Sequence, residues 1–123
     1  MDDDKRALAK LDQLTANDFQ AALLAIREDM ADSDLSLLKA HYQSPNHVVS
    51  ATELASKVGF ANFQAANLRY GLLARKLLDF FQIHLSEYVK LNALVYLNNP
   101  NDEWEWTLRP EVVQALKKLN WFK

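Results

Sequence analysis

Residues 50–73, SATELASKVGFANFQAANLRYGLL, constrain the fold of this chain more than any other stretch, because their spacing fits two helices joined by one tight turn. Ser50 and Glu53 make a capping box, with the Ser50 hydroxyl accepting from the Glu53 amide and the Glu53 carboxylate reaching back to the Ser50 amide. Leu54 and Val58 then face inward together. Ala55 falls where the two helices cross most closely, and a side chain beyond a methyl would hold their axes apart. Gly59 follows four residues later. A helix ending there needs a residue at positive φ, which glycine adopts without steric cost, so the chain can reverse and begin a second helix near Asn62. Phe60 and Leu68 are expected to complete the small core between the helices. This is the pattern of a helix-turn-helix, and ordinary helical hairpins share it, so the flanking segments have to discriminate.

Two helical segments precede the motif. Leu8, Leu11 and Leu14 recur at helical spacing over 5–14, and Thr15 or Asn17 caps a second helix to about residue 28, with Phe19, Leu23 and Ile26 as its apolar stripe. A third helix is predicted over roughly 35–42, with Leu37, Leu38 and Tyr42 inward. SPNH breaks it at Pro45, and HVVS is either a short strand or a spacer. The second motif helix is predicted from about Asn62 to near His84, apolar on more than one stripe and therefore central to the core. Gly71 in its middle costs about 1 kcal/mol relative to alanine, which implies the close approach of another backbone or a kink.

After residue 90 the period changes from helical to alternating. LNALVYLNN is rich in β-branched and aromatic residues, with apolar side chains at Leu91, Ala93, Val95 and Leu97; Trp104, Trp106 and Leu108 alternate with Glu103, Glu105 and Thr107, and NNPND between them is a cluster of turn formers. Pro110 suits the first turn of a closing helix that turns Val112, Val113, Leu116 and Leu119 inward. The expected fold is mainly α with one β-hairpin: a winged-helix-like helix-turn-helix core over 33–109, with extra N-terminal helices and a C-terminal helix. Residues 1–123 are read as a single domain, with 1–4 as a disordered tail.

At 123 residues the chain can bury a real core without metals or disulfides, and the absence of cysteine excludes thiolate catalysis and cysteine-ligated zinc. No leader pattern is present, and no apolar run approaches the roughly 20 residues that cross a bilayer, so a cytoplasmic protein without membrane partners is expected. The net charge of −2 counts mildly against a nucleic-acid binder, which needs Lys and Arg at phosphates. Its distribution says more. Residues 1–49 hold nine acidic and five basic side chains, 50–90 hold three and five, and 91–123 hold four of each, so the small positive excess coincides with the motif.

The stretch HYQSPNHVVSATELASKVGFANFQAANLRYGLLARKL resembles a small helical domain of bacterial proteins, often found ahead of a His-Asn-His nuclease domain in restriction-like proteins. The features that carry the resemblance are HY and P before the cap, T-x-L-A-x-x-V-G-F at 52–60, N-L-x-Y-G-x-L at 67–73, W-x-W-T-L-R-P-E-V at 104–112, and the pair Trp121 and Phe122. The resemblance covers most of 17–122 and implies a module that recruits or recognises DNA in restriction or defence. No nuclease half lies within these residues, so it carries no cleavage chemistry over.

In a helix-turn-helix the exposed residues opening the second helix face base edges, here Asn62, Gln64 and Asn67, whose amides can pair with adenine. Arg69, Arg75, Lys76 and Lys57 are the candidate phosphate contacts. Each has a plainer role open to it: Asn62 as a helix cap, Asn67 as a brace, the cations as solvated surface. Asp102 and Glu103 at the hairpin tip would repel phosphate, so a wing there points away from DNA. Trp104 and Trp106 share a strand face and are expected in the core, with stacking on a partner as the alternative; Trp121 and Phe122 either fold back or form a dimer patch. His41, His47 and His84 lack the spacing of a zinc site, and His84 with Glu87, three apart on one helix, reads as a surface pair. No metal, no cofactor and no catalytic residue is expected. The leading reading is a DNA-binding module acting on duplex DNA. The other is a protein-interaction module, such as an immunity, anti-defence or adaptor protein, and a homodimer is a third arrangement.

Overall fold

The computed structural model describes residues 2–100 and 103–122. Its centre is built by α3 (Asp32–Tyr42), β1 (Val48–Ser50), α4 (Ala51–Val58), α5 (Phe63–Phe81), β2 (Val95–Asn98) and β3 (Glu105–Leu108). The strands pair antiparallel in the order β1-β3-β2. The strand between α3 and α4 thus closes onto the last strand of the hairpin, which is the connectivity of a winged helix. Around it lie α1 (Asp2–Asp12), α2 (Ala16–Ile26) and α6 (Pro110–Leu119), with α2 packed on both α5 and α6. The chain is mainly helical, and no helix among the described residues is long and apolar enough to cross a membrane.

Local chemistry sets the boundaries. Thr15, Ser50 and Asn62 each stand in extended backbone before a helix and accept from the amides of Asp18, Glu53 and Ala65 at 3.3, 3.1 and 3.2 Å, which satisfies one otherwise unpaired donor per helix. Gly59 ends α4 at φ 80°, and the Phe60 amide donates back to the Ala55 carbonyl at 2.8 Å. Gln82 closes α5 and Asn120 closes α6 in the same left-handed conformation.

Along α5, Ala66, Tyr70, Leu73, Ala74, Leu77 and Leu78 form one buried face. Across the sheet, Val49, Trp106 and Leu97 occupy one register row, and the Tyr70 ring stacks on Trp106 at 5.2 Å between centroids. The row is therefore the seam between helix layer and sheet. His41 of α3 joins it. Its Nε2–H donates to the Trp106 carbonyl at 2.8 Å, and its Nδ1 accepts from the Tyr70 hydroxyl at 2.8 Å. A carbonyl can only accept, so Nε2 carries the hydrogen, and the burial that keeps the ring neutral leaves Nδ1 as the acceptor. Burial pushes the pKa of His41 down to about 4 and that of the Tyr70 phenol well above 10.

Several expectations change. Residues 2–4 of the expected tail are helical, since α1 begins at Asp2, while Met1 lies outside the described residues, and the Asp4 carboxylate accepts from both the amide and the hydroxyl of Ser86, at 3.1 and 2.9 Å. The Ser50 capping box is half formed, since the Glu53 carboxylate accepts from the Ser50 hydroxyl rather than its amide. Residues Lys90–Ala93 form a 3-10 turn, and pairing begins only at Val95. Helix α5 stops at Phe81, leaving His84 and Glu87 on an irregular segment rather than one helix. At Gly71 the close neighbour is the Lys90 side chain, not a backbone, and α5 continues through it. Leu68 lies 62 % exposed on the face of α5 opposite the core, because it is out of phase with Ala66, Tyr70 and Leu73. Trp106 is in the core but Trp104 precedes the paired strand and stands 55 % exposed. Trp121 and Phe122 fold back, Phe122 onto Tyr42 at 5.9 Å and Trp121 beneath the Arg27 guanidinium.

The two glycines predict opposite outcomes. Nothing stands near a β-carbon added at Gly59, so Gly59→Ala costs only its left-handed backbone, about 1 kcal/mol. At Gly71 the added carbon would meet only the flexible end of Lys90, at 2.9 Å, so Gly71→Ala is neutral or stabilising by up to about 1 kcal/mol; urea unfolding of both variants checks the contrast. His41 predicts a pH dependence. It stays neutral in the fold down to about 4 but takes a proton near 6.5 when unfolded, so the unfolded state binds the extra proton across that window. Stability is then fully present above pH 6.5 and falls toward pH 4 by about 3 kcal/mol in all. In the His41→Gln variant, unfolding measured between pH 7 and 4 should lose that slope.

Candidate partner interface

The turn at Gly59 delivers Asn62, Phe63, Gln64 and Asn67 to the surface in the first two turns of α5, all of them exposed. The Asn62 side-chain oxygen is committed to the Ala65 amide. Gln64 and Asn67 border a groove whose far wall is the irregular segment after α5, at Glu87, Tyr88 and Lys90. The amide ridge expected at the start of the second motif helix is therefore present and accessible.

The cations are elsewhere engaged. Arg69 donates to Oδ1 of Asp34 at 3.1 Å, and Asp34 is 1 % exposed, its other oxygen accepting from the Ala31 amide at the start of α3. Arg75 donates to Glu87 at 3.0 Å and to the Leu85 carbonyl at 3.3 Å. Lys90 binds the other oxygen of Glu87, and these two cations hold the Glu87 carboxyl below its ordinary pKa. Lys76 donates to the Asp29 carbonyl, tying α5 to the turn after α2. Lys57 alone of the candidate phosphate contacts is fully exposed, on the last turn of α4 beside a shallow cleft shared with Lys39. The structure brings Asn62, Gln64 and Asn67 together, and it engages the half-buried Arg69, Arg75 and Lys76 with partners in the same molecule. Glu103 is exposed at the hairpin tip, while Asp102 lies outside the described residues.

What stands in solvent instead is apolar. Phe63, Leu68, Leu72, Tyr88 and Trp104 account for five of the eight large apolar residues exposed among those described, and Tyr88 is 95 % exposed. Phe63, Tyr88 and Trp104 surround a cleft of about 360 Å³ that runs under the open end of the sheet, floored by Leu97 and Trp106, with Asn67 as its polar group. Asn67, Tyr88 and Leu91 are shared with the groove along α5, so the two depressions are continuous. Aromatic side chains around a small apolar cleft with one amide are the ingredients of an anchor pocket at a protein interface.

These residues were hard to find in the sequence. Leu68 and Leu72 do carry a signal, because they fall opposite the 66, 70, 73, 77 face of α5. Phe63, Tyr88 and Trp104 carry none, since each sits just outside a regular element or at its first residue. No cluster of metal-ligating side chains occurs among the described residues. Comparison with protein-family models, curated proteins and solved structures finds no match to this chain.

The pairing of Arg69 makes it a stabilising residue. Arg69→Met leaves the Asp34 carboxylate buried with only the Ala31 amide, and should cost about 2 kcal/mol in denaturant unfolding. Arg75→Met, whose partner Glu87 stands largely in water, should have little measurable effect.

Proposed function

We propose that this protein is a non-catalytic interaction module that docks a partner protein on the aromatic cleft beside α5. The observation that carries this reading is the division of labour on one helix: its cations are engaged within the molecule, Arg69 by the buried Asp34, Arg75 by Glu87 and the Leu85 carbonyl, and Lys76 by the Asp29 carbonyl, while Phe63, Leu68, Leu72 and the neighbouring Tyr88 and Trp104 stand in water. A contiguous apolar patch on a soluble surface is paid for only where something covers it. Phosphate binding needs cations free to displace counterions, and freeing Arg69 would strand a buried carboxylate.

Duplex DNA is the second reading, favoured by the winged-helix connectivity and by the exposed amides of Gln64 and Asn67, with Lys57 as backbone contact.

A photo-cross-linking residue at position 104, compared with one at position 117 on exposed α6, separates them. In nuclease-treated host lysate, a discrete protein adduct at 104 and not at 117, lost in Phe63→Glu, is the expected outcome. A mobility shift on duplex DNA at about 50 mM salt that is lost in Lys57→Ala and kept in Phe63→Glu would replace this reading with the second.

A further inference from the structure

We infer that α1 acts as a strap that sets the Tyr88 wall of the docking cleft, with Asp4 as the positioning residue; this rests on the docking reading above. The wall belongs to the segment after α5, where 83–86 has no regular structure and 87–89 is a turn. Its path is fixed at a few points. Leu85 is fully buried and its carbonyl accepts from Arg75. Lys90 crosses α5 over Gly71, within 3.2 Å of where a β-carbon would stand. Between these anchors Ser86 has both of its donors taken by one carboxylate, the backbone amide by Oδ1 and the hydroxyl by Oδ2 of Asp4.

Two bonds from one planar group fix the orientation of the Ser86 peptide as well as its position, and that orientation directs the next two residues, Glu87 and Tyr88, toward Asn67 and Leu91. The rest of α1 does not do this. A cleft of about 350 Å³ separates Asp3, Arg6 and Lys10 from Gln82, Ile83 and His84, so Asp4 reaches Ser86 past a gap. Helix α1 is itself seated independently, by Ala7 and the fully buried Leu11. Loss of the Asp4 carboxylate therefore releases the Ser86 peptide, leaving the wall held only at Leu85 and at Glu87 by Arg75 and Lys90, without unseating the helix. Ser86 contributes from the other side: any group added to its hydroxyl would break the same contact, and a negatively charged one would also repel Asp4.

The test uses the full chain and two readouts. Hydrogen exchange of amides 84–91 should rise about tenfold in Asp4→Ala and in Ser86→Ala, with α3 and β3 unchanged. Asp4→Asn keeps one carbonyl acceptor for the Ser86 amide and should be intermediate. Binding of the fluorescent probe anilinonaphthalene sulfonate should be abolished by Phe63→Glu, which marks it as cleft binding, and weakened about threefold by Asp4→Ala at an unchanged unfolding midpoint. Exchange and probe affinity both indifferent to Asp4→Ala would overturn the strap while leaving the cleft standing. Probe binding indifferent to Phe63→Glu as well would take the docking reading down with it. A drop in the unfolding midpoint with exchange raised throughout the chain would make Asp4 a general stabiliser and would also overturn the proposal.

Discussion

The neutral imidazole of His41, bonded at one nitrogen to the Tyr70 hydroxyl and at the other to the Trp106 carbonyl, is the contact on which the arrangement of helices and sheet depends. It joins α3, α5 and β3 within one stack of rings, with His41 and Tyr70 at 5.8 Å and Tyr70 and Trp106 at 5.2 Å. Each polar atom in it has a directional partner in a dry interior, so no member can rotate without leaving another unsatisfied, and such a loss is costly where water cannot replace it. An apolar seam would hold the same layers together but would permit them to slide. This one ties α3 and α5 to β3 at directional contacts, and Trp106 of that seam also lines the cleft.

Much of the fold was legible because its signals are local. A cap and the amide it accepts are three residues apart, as at Thr15, Ser50 and Asn62, and the left-handed turn at Gly59 is a property of one residue. The long-range polar contacts were not legible, because their partners are far apart in the chain: His41 with Trp106, Asp34 with Arg69, and Asp4 with Ser86 across 82 positions. Histidine, aspartate and arginine are normally read as surface, and only the tertiary partner converts them into core.

The same limit governed the candidate site. Hydropathy distinguishes a one-sided helix from an all-round one, and α5 read as all-round because Leu68 and Leu72 are as apolar as Leu73 and Leu77. Its cations looked available because nothing near them in sequence claims them. In three dimensions the two populations exchange roles: Arg69, Arg75 and Lys76 hold neighbouring elements, and the leucines with Phe63 face water. The helix-turn-helix thus carries exposed amides at Asn62, Gln64 and Asn67 beside exposed Phe63, Leu68 and Leu72.

Arg109 is 1 % exposed, and its guanidinium donates to Asp12, to the Asn92 carbonyl and to the Tyr96 hydroxyl, with the Tyr96 ring 4.9 Å away. One carboxylate comes from the end of α1 and a second, Glu111 at 3.7 Å, from α6, while the approach to the sheet and its first hairpin strand supply neutral acceptors, so the peripheral helices neutralise an ion that the hairpin region only solvates. Trimming the molecule to its three central helices and their sheet would orphan that charge in the interior. The peripheral helices are on this account part of the electrostatic closure of the centre they surround.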